Sequence, residues 1–441
     1  MQAGRTLFQS IVWRGLYYVA AFIINILIAR HFQASVSGAV YYISSIYALV
    51  LLFLSLGLES GIIYFAARNG IPLARLFSFS IAWSLLAGLS VFFAVYVFFP
   101  GEYVRIPGPL LLFSSVCFIS GNLLTTYCSG FYYARNDFIL PNAVNITCTI
   151  ILVIVLPYGG RSVIPGISNE NYFYVYFGSF LVQGIWVAAA TKIKYIKSGF
   201  QQLLSLEQFR LLFRYCAMAF VGNIIYFLLY RVDYWFVENY CTPEQLGNYI
   251  QVSKLGHLFL IVPTILASAV FPITAGGKKE NLAQLLTLLS RSIFFVYLFV
   301  CVVLILTGQW LFPFVFGESF SGMYMPFLFL IPGILSLSGL FTLTAYFAGN
   351  NQVKKNMLGA LYALALVLAG NMLFIPKYGI NAAALISSLG YMVYHVYILG
   401  SFSREHKIPV SDFYVFRYGD WIKIRNGLLN IFTKNDIADQ P

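Results

Sequence analysis

Arg14, Arg214, Arg231, Lys254 and Arg291 each lie inside a stretch of sequence otherwise apolar enough to cross a bilayer. Only two acids, Glu59 and Asp233, share those stretches. A cation near the middle of a spanning helix costs about 2.5–3.5 kcal/mol on insertion scales, so such residues face a wet interior rather than lipid. An interior with more cations than acids suits an anionic passenger, because Arg presents a planar fork of donors to phosphate or carboxylate oxygens. Arg14, Glu59, Arg214 and Arg291 form an inner layer near one set of helix ends, with Arg14 the leading docking group and Arg214 also suited to anchoring at the interface. Arg231, Asp233, Lys254 and His257 form an outer layer. Arg231 and Asp233 are two apart, about 200° around a helix, so each needs its own partner. The next span offers Lys254 to Asp233, while Lys254 and His257, three apart, share a face. Glu59 is expected either to pair with Arg14 or to bind a coupling cation.

These residue types bind and release; they do not catalyse. The chain has no Cys/His metal spacing, no Gly-rich phosphate loop and no close carboxylate pair, so it is read as a non-enzyme with no catalytic residue, no metal ligand and no cofactor. Coupling to Na+ or H+ is left open.

The elements that must position these groups follow from composition. Of 441 residues, 60% are hydrophobic and 10% charged, and the mean hydropathy is +0.80. Soluble domains carry about 25% charged residues. The chain is therefore an all-α polytopic membrane protein. With roughly 20 apolar residues needed per span, helices are predicted near 11–28, 39–65, 73–99, 109–132, 139–156 and 172–190, and again near 211–237, 246–271, 285–307, 324–348, 357–375 and 380–400. The net charge of +12 reports orientation rather than nucleic-acid binding. Loops after even-numbered spans, with both termini, hold most of the cations, among them Arg68, Arg75, Lys192, Lys194, Lys278, Lys279, Lys354 and Lys355. Loops after odd-numbered spans offer only Arg30, Arg105, Arg161 and Lys377. The positive-inside rule then puts both termini in the cytoplasm. The N-terminal sequence has no A-x-A-like cleavage site, so a cleaved signal peptide is not expected. The six cysteines are read as small packing residues.

The chain also repeats itself. The segment 32–41, FQASVSGAVY, is echoed by 240–249, YCTPEQLGNY, with Gly38 corresponding to Gly247. YARND at 133–137 parallels FAGNN at 347–351, and the Pro157-Tyr158-Gly159 turn resembles Pro376-Lys377-Tyr378-Gly379. The predicted organisation is an N-terminal six-helix bundle at 1–195, a C-terminal six-helix bundle at 196–402 and a cytoplasmic tail at 403–441. An even number of spans per half makes the repeats parallel, with a substrate path between them. In the tail, Trp421, Ile424, Leu428 and Ile431 recur at helical spacing beside Lys423 and Arg425, the pattern of an interfacial helix.

Several segments resemble the polysaccharide flippases, the O-antigen (Wzx-type) branch of the MOP superfamily that also holds the MATE exporters and the lipid II flippases. The segment 56–61, LGLESG, is similar to that family's Gly/Glu-containing second span, and 230–234, YRVDY, to its Arg-x-Asp seventh span. Gly247-Asn248-Tyr249, Phe271-Pro272 and Phe316-Gly317 fit further landmarks. The stretch 371–384, NMLFIPKYGINAAA, resembles the recurring Ile-Pro-x-Tyr-Gly-Ile-x-Gly-Ala-Ala, with Asn381-Ala382 departing from the usual residue-then-Gly pair. The resemblance implies two bundles around a central cavity, alternating access, and a passenger of undecaprenyl-pyrophosphate carrying an oligosaccharide unit. It implies residence in a bacterial inner membrane and contact with polysaccharide polymerase machinery. A lipid II flippase and a MATE-type exporter share the architecture, the latter wanting an acidic cavity; a membrane glycosyltransferase or polymerase fits less well. An inside-negative potential favours outward movement of each anionic charge by about 2.3 kcal/mol per 100 mV.

Overall fold

A computed structural model describes residues 2–68, 70–99, 101, 103, 106–135, 137–157, 167, 169–196, 203–275 and 282–415. The side chain of Arg14 lies outside the described residues, as do Arg105, Arg161, Lys278, Lys279 and the tail positions Trp421, Lys423, Ile424, Arg425, Leu428 and Ile431. The described chain is almost wholly helical: α1 Gln2–Ser55, α2 Leu58–Arg68, α3 Leu73–Phe98, α4 Gly108–Tyr133, α5 Ile139–Val155 and α6 Asn169–Tyr195, then α7 Leu206–Tyr240, α8 Pro243–Leu258, α9 Ile261–Ala275, α10 Leu282–Phe316, α11 Tyr324–Gly349 and α12 Val353–His406.

Two of these helices are hairpins. At Gln33 the backbone of α1 leaves the helical region (φ 62, ψ 176), and beyond it the Tyr41 hydroxyl donates back to the Asn25 carbonyl at 3.3 Å, so the two arms run antiparallel. At Gly379 (φ 60, ψ −145) α12 turns in the same way, with Gly359 facing Tyr394 and Tyr397 and Gly370 facing Ile386. Glycine adopts that conformation without a Cβ clash; Gln33 does so under strain. Spans one and two are thus the arms of α1, the second finished by α2. The helices α3 to α7 supply spans three to seven, α8 with α9 the eighth, α10 and α11 the next two, and α12 the last pair. Among the described residues these helices supply twelve spans, the number read from hydropathy, and the chain is a multi-pass membrane protein.

Both second spans of the two sequence halves are broken. Span two breaks at Leu56 (φ 50) and Gly57 (φ 67), and span eight at Phe259–Leu260. A break inside a membrane frees carbonyls that lipid cannot satisfy. Here side chains satisfy them: Trp83 Nε1 donates to the Leu54 carbonyl at 2.8 Å and the Tyr127 hydroxyl to the Ser55 carbonyl at 3.1 Å. At the second break the Tyr297 hydroxyl donates to the Phe259 carbonyl.

The chain packs as two compact units. Unit 1 is Met1–Gln251 with Phe312–Met323, and unit 2 is Val252–Leu311 with Tyr324–Pro441. The boundary between them falls within α8. In unit 1 the core is aromatic and aliphatic, with Ile119, Tyr127, Phe131, Tyr132 and Phe177 fully buried. The Phe312–Met323 segment joins this unit through a short 3-10 helix, Glu318–Met323. There the Ser319 hydroxyl accepts from the Ala34 N–H at 3.0 Å, and the Ser319 carbonyl accepts from Asn248 Nδ2 at 3.0 Å. In unit 2 the helices α11 and α12 pack together, and the Gly333 N–H donates to Ser388 Oγ at 2.6 Å.

An ion pair stands at corresponding places of the repeat in each unit. Lys194 Nζ stands 2.7 Å from Asp137 in unit 1, and Lys355 Nζ stands 2.9 Å from Glu405 in unit 2. The signs are exchanged between the two. Both pairs are partly exposed, so each contributes about 0–1 kcal/mol.

Candidate functional site

The break in span two creates the site. By ending one helix at Ser55 and starting another at Leu58, it places Glu59 in the first turn of α2, where the helix dipole favours a carboxylate. Gly57 and Gly61 let α2 lie close against α7: a Cβ on Gly61 would meet Cys216 Sγ at 2.5 Å and Leu212 at 2.6 Å. Above this contact opens a cavity of about 340 Å³, lined by Ser55, Glu59, Thr126, Tyr127, Asn223 and Tyr226 together with apolar groups such as Leu51 and Phe227. Glu59 Oε2 is buried and has no hydrogen-bond partner among the described residues. Among the described lining residues none is a cation. The arrangement is one carboxylate beside amide and hydroxyl groups in an otherwise apolar recess, which is chemistry for a cation, a proton or a hydroxyl-bearing ligand.

The other charged residues singled out from the sequence divide between the units. In unit 1, Arg214 is exposed on α7. Arg231 is half-buried; its Nη1 donates to the Tyr234 hydroxyl at 2.7 Å, and its guanidinium lies over the Tyr234 ring at 5.1 Å. Asp233 is buried and accepts from the Tyr249 hydroxyl. In unit 2, Lys254 and His257 are half-buried near the end of α8. Arg291 is buried in α10, and its Nη1 donates to the Val415 carbonyl at 2.8 Å. That carbonyl belongs to a return segment after α12. Phe413 is buried there, and the Tyr414 hydroxyl is 2.8 Å from His395 Nε2.

Reading the sequence for charges passed over Thr126, Tyr127 and Asn223, which join Tyr226 in lining the Glu59 cavity. Tyr249 stands in the sequence only as part of the Gly247-Asn248-Tyr249 landmark, while in the fold its hydroxyl donates to Asp233. In the sequence Asn371 is only the first residue of the 371–384 motif. It is fully buried in α12, with both side-chain amide atoms lacking a hydrogen-bond partner among the described residues. The available signal was an amide within an apolar run, which is costly to bury unless something is bound or bonded to it.

Hairpins, broken second spans and a polar recess in unit 1 describe an all-helical polytopic membrane fold. Solved structures bear this out. The chain superposes on the lipid II flippase MurJ in an inward closed conformation with a TM-score of 0.73 at 16% identity, over 98% of this chain and 100% of that one. It superposes on a multidrug resistance MATE family transporter of the MOP superfamily, inward-facing, with a TM-score of 0.70 at 13% identity, over 91% and 99% of the two chains. A MOP superfamily transporter from Pyrococcus furiosus, described as having a binding pocket of reverse polarity, gives 0.61 at 12% identity over 92% and 96%. No curated protein matches the chain in sequence. Residues 174–325 match the family described as polysaccharide biosynthesis protein. The chain thus shares the fold of the MurJ and MATE structures, and its residues 174–325 match a polysaccharide biosynthesis family.

Proposed function

We propose that this protein is a flippase that carries an undecaprenyl-pyrophosphate-linked oligosaccharide, an O-antigen or other polysaccharide repeat unit, from the inner to the outer leaflet of a bacterial inner membrane. The observation that carries the reading is the polysaccharide-biosynthesis match over residues 174–325 on a MOP fold. The termini lie in the cytoplasm, and Arg14, Arg214, Arg231, Lys254 and Arg291 hold the anionic headgroup in turn as access alternates. No step of this process breaks a covalent bond, so the protein is not an enzyme. Glu59, buried beside Asn223 and Tyr226 with one oxygen lacking a partner among the described residues, is the group that takes the coupling proton or Na+. Asp233 and His257 act as structural or coupling partners in the outer layer. The membrane potential adds about 2.3 kcal/mol per anionic charge per 100 mV, so the ion coupling supplements a drive already present.

The superposition on MurJ favours a second reading, in which the passenger is lipid II. Both passengers share the lipid and the pyrophosphate and differ in the sugar. Expression in a strain lacking its O-antigen flippase and in one lacking its lipid II flippase separates them. Restored surface polysaccharide in the first, without rescue of the second, is the expected result; rescue of the second alone overturns the O-antigen reading.

A further inference from the structure

Arg291, the α10 cation proposed to take the headgroup, is buried, and its Nη1 donates to the Val415 carbonyl at 2.8 Å. A guanidinium in that position reaches a phosphate only after the carbonyl has left it. The helices that carry Arg291 are tightly joined. Ser290 and Thr342 pair their hydroxyls at 3.1 Å between α10 and α11. A Cβ on Gly339 would stand 3.0 Å from His395 Cε1 and 3.3 Å from Ser290 Cβ, so α10, α11 and α12 of unit 2 close together here.

The chain that covers Arg291 is held far more lightly. Lys407 ends α12 in a left-handed conformation (φ 53), and the chain turns back beside the helix it has just left. Ser403 Oγ donates to the Ile408 carbonyl at 2.6 Å, the Phe413 ring meets Phe402 edge-on with centroids 5.9 Å apart, and the Tyr414 hydroxyl stands 2.8 Å from His395 Nε2. His395 lies about 16 Å along α12 from its end at His406, at 1.5 Å per residue, so the return reaches well inside the helix. The Tyr414 ring also packs on Phe294 of α10, with centroids 5.0 Å apart. Of residues 408–415 only Phe413 is buried, while Val410 and Val415 are exposed. A segment with one buried anchor and a few hydrogen bonds belongs to the low-stability end of a structure, where local opening costs least.

Cover and headgroup compete for one donor. A pyrophosphate offers the Arg fork paired, charged acceptors, and such bidentate charge-assisted bonds are the strong ones; a peptide carbonyl offers a single neutral acceptor. We infer that residues 408–415 form an autoinhibitory strap, which occupies Arg291 in the resting protein and is displaced by the pyrophosphate of the passenger. The strap presupposes the headgroup role proposed for Arg291 and adds that this site opens only as the strap leaves. A ligand that binds the released form alone loses apparent affinity in proportion to how little of that form is populated.

The test uses the full chain in nanodiscs of phosphatidylethanolamine, with undecaprenyl pyrophosphate as the anionic probe and undecaprenol as its neutral counterpart. The amides of Ile408, Asp412, Tyr414 and Val415 are hydrogen-bonded within the strap or to α12, so hydrogen exchange there reads its release. Undecaprenyl pyrophosphate is expected to raise that exchange several-fold and undecaprenol to leave it unchanged. Tyr414→Phe keeps the ring on Phe294 but loses the hydroxyl at His395, and is expected to lower the concentration of undecaprenyl pyrophosphate at half-binding several-fold. Equal effects of the two lipids, or half-binding of Tyr414→Phe at an unchanged or higher concentration, overturn the strap. Should Tyr414→Phe not fold, the wild-type exchange decides. Binding of undecaprenyl pyrophosphate without a rise in strap exchange overturns the strap alone, whereas absence of binding overturns the headgroup role of Arg291 with it.

Discussion

Gly38 and Gly247 touch backbone to backbone: a Cβ added to Gly38 would stand 2.6 Å from the Cα of Gly247. A Cβ on Gly247 would collide with the Ala34 carbonyl oxygen. These are the two glycines that the internal repeat pairs with each other. Equivalent segments meeting through equivalent residues is the signature of an isologous contact, as between the subunits of a two-fold dimer. Either glycine admits close approach that any side chain would block. Gly247→Ala is therefore expected to destabilise the protein by about 1–3 kcal/mol, the range for overpacking a tight contact. Thermal unfolding in detergent measures it; an unchanged midpoint contradicts the contact.

The turn of the first hairpin carries the opposite liability. Gln33 holds φ 62 and ψ 176, a region that glycine alone occupies easily, while Gly379 serves the turn of the other hairpin, α12. Such strain costs about 1–3 kcal/mol. Gln33→Gly is expected to raise the unfolding midpoint, and a fall in the midpoint would show that the Gln33 side chain matters more than its backbone.

Asp233 is buried with the Tyr249 hydroxyl as a donor. Removing that hydroxyl leaves the carboxylate short of a hydrogen bond, a loss of about 1–3 kcal/mol. Tyr249→Phe is expected to lower stability by that amount in chemical unfolding, and Asp233→Asn in the same background to lower it little further. Additive losses from the two substitutions would contradict a direct pairing.

Spans and hairpins were legible because hydropathy and loop charge repeat over the whole chain, whereas the breaks were not. Leu56 at positive φ carries no sequence signal, and only the neighbouring Gly57 hints at it. The Glu59 cavity was half legible. An acid in an apolar run stands out, but Asn223 and Thr126 are ordinary polar residues until the fold brings them to the same recess. Charge counting offers Lys254 to Asp233, since charge is what a sequence displays, whereas the Tyr249 hydroxyl that donates to Asp233 from the same eighth span is invisible among so many aromatics. The Val415 carbonyl that meets Arg291 lies in a return segment without periodicity, and a backbone acceptor has no residue type to betray it.

Arg14→Ala and Arg291→Ala are both expected to impair translocation but to differ in stability. Arg291→Ala removes a charged donor from the Val415 carbonyl and loosens the return segment, a cost of about 1.5–3 kcal/mol. A protease protection assay at the C-terminal segment reads this directly. Arg14→Ala is expected to leave unfolding unchanged and to impair translocation. Equal protease sensitivity in wild type and Arg291→Ala would remove the anchoring role.

The account turns on an anionic lipid-linked glycan crossing the membrane through this protein. The direct measurement is a fluorescent undecaprenyl-pyrophosphate oligosaccharide in proteoliposomes, its arrival in the far leaflet read by access of a membrane-impermeant quencher under an imposed potential. Protein-dependent arrival, faster when the receiving side is positive and lost in Arg14→Ala, is the expected result. A folded protein that leaves the glycan in its original leaflet at every potential contradicts the account.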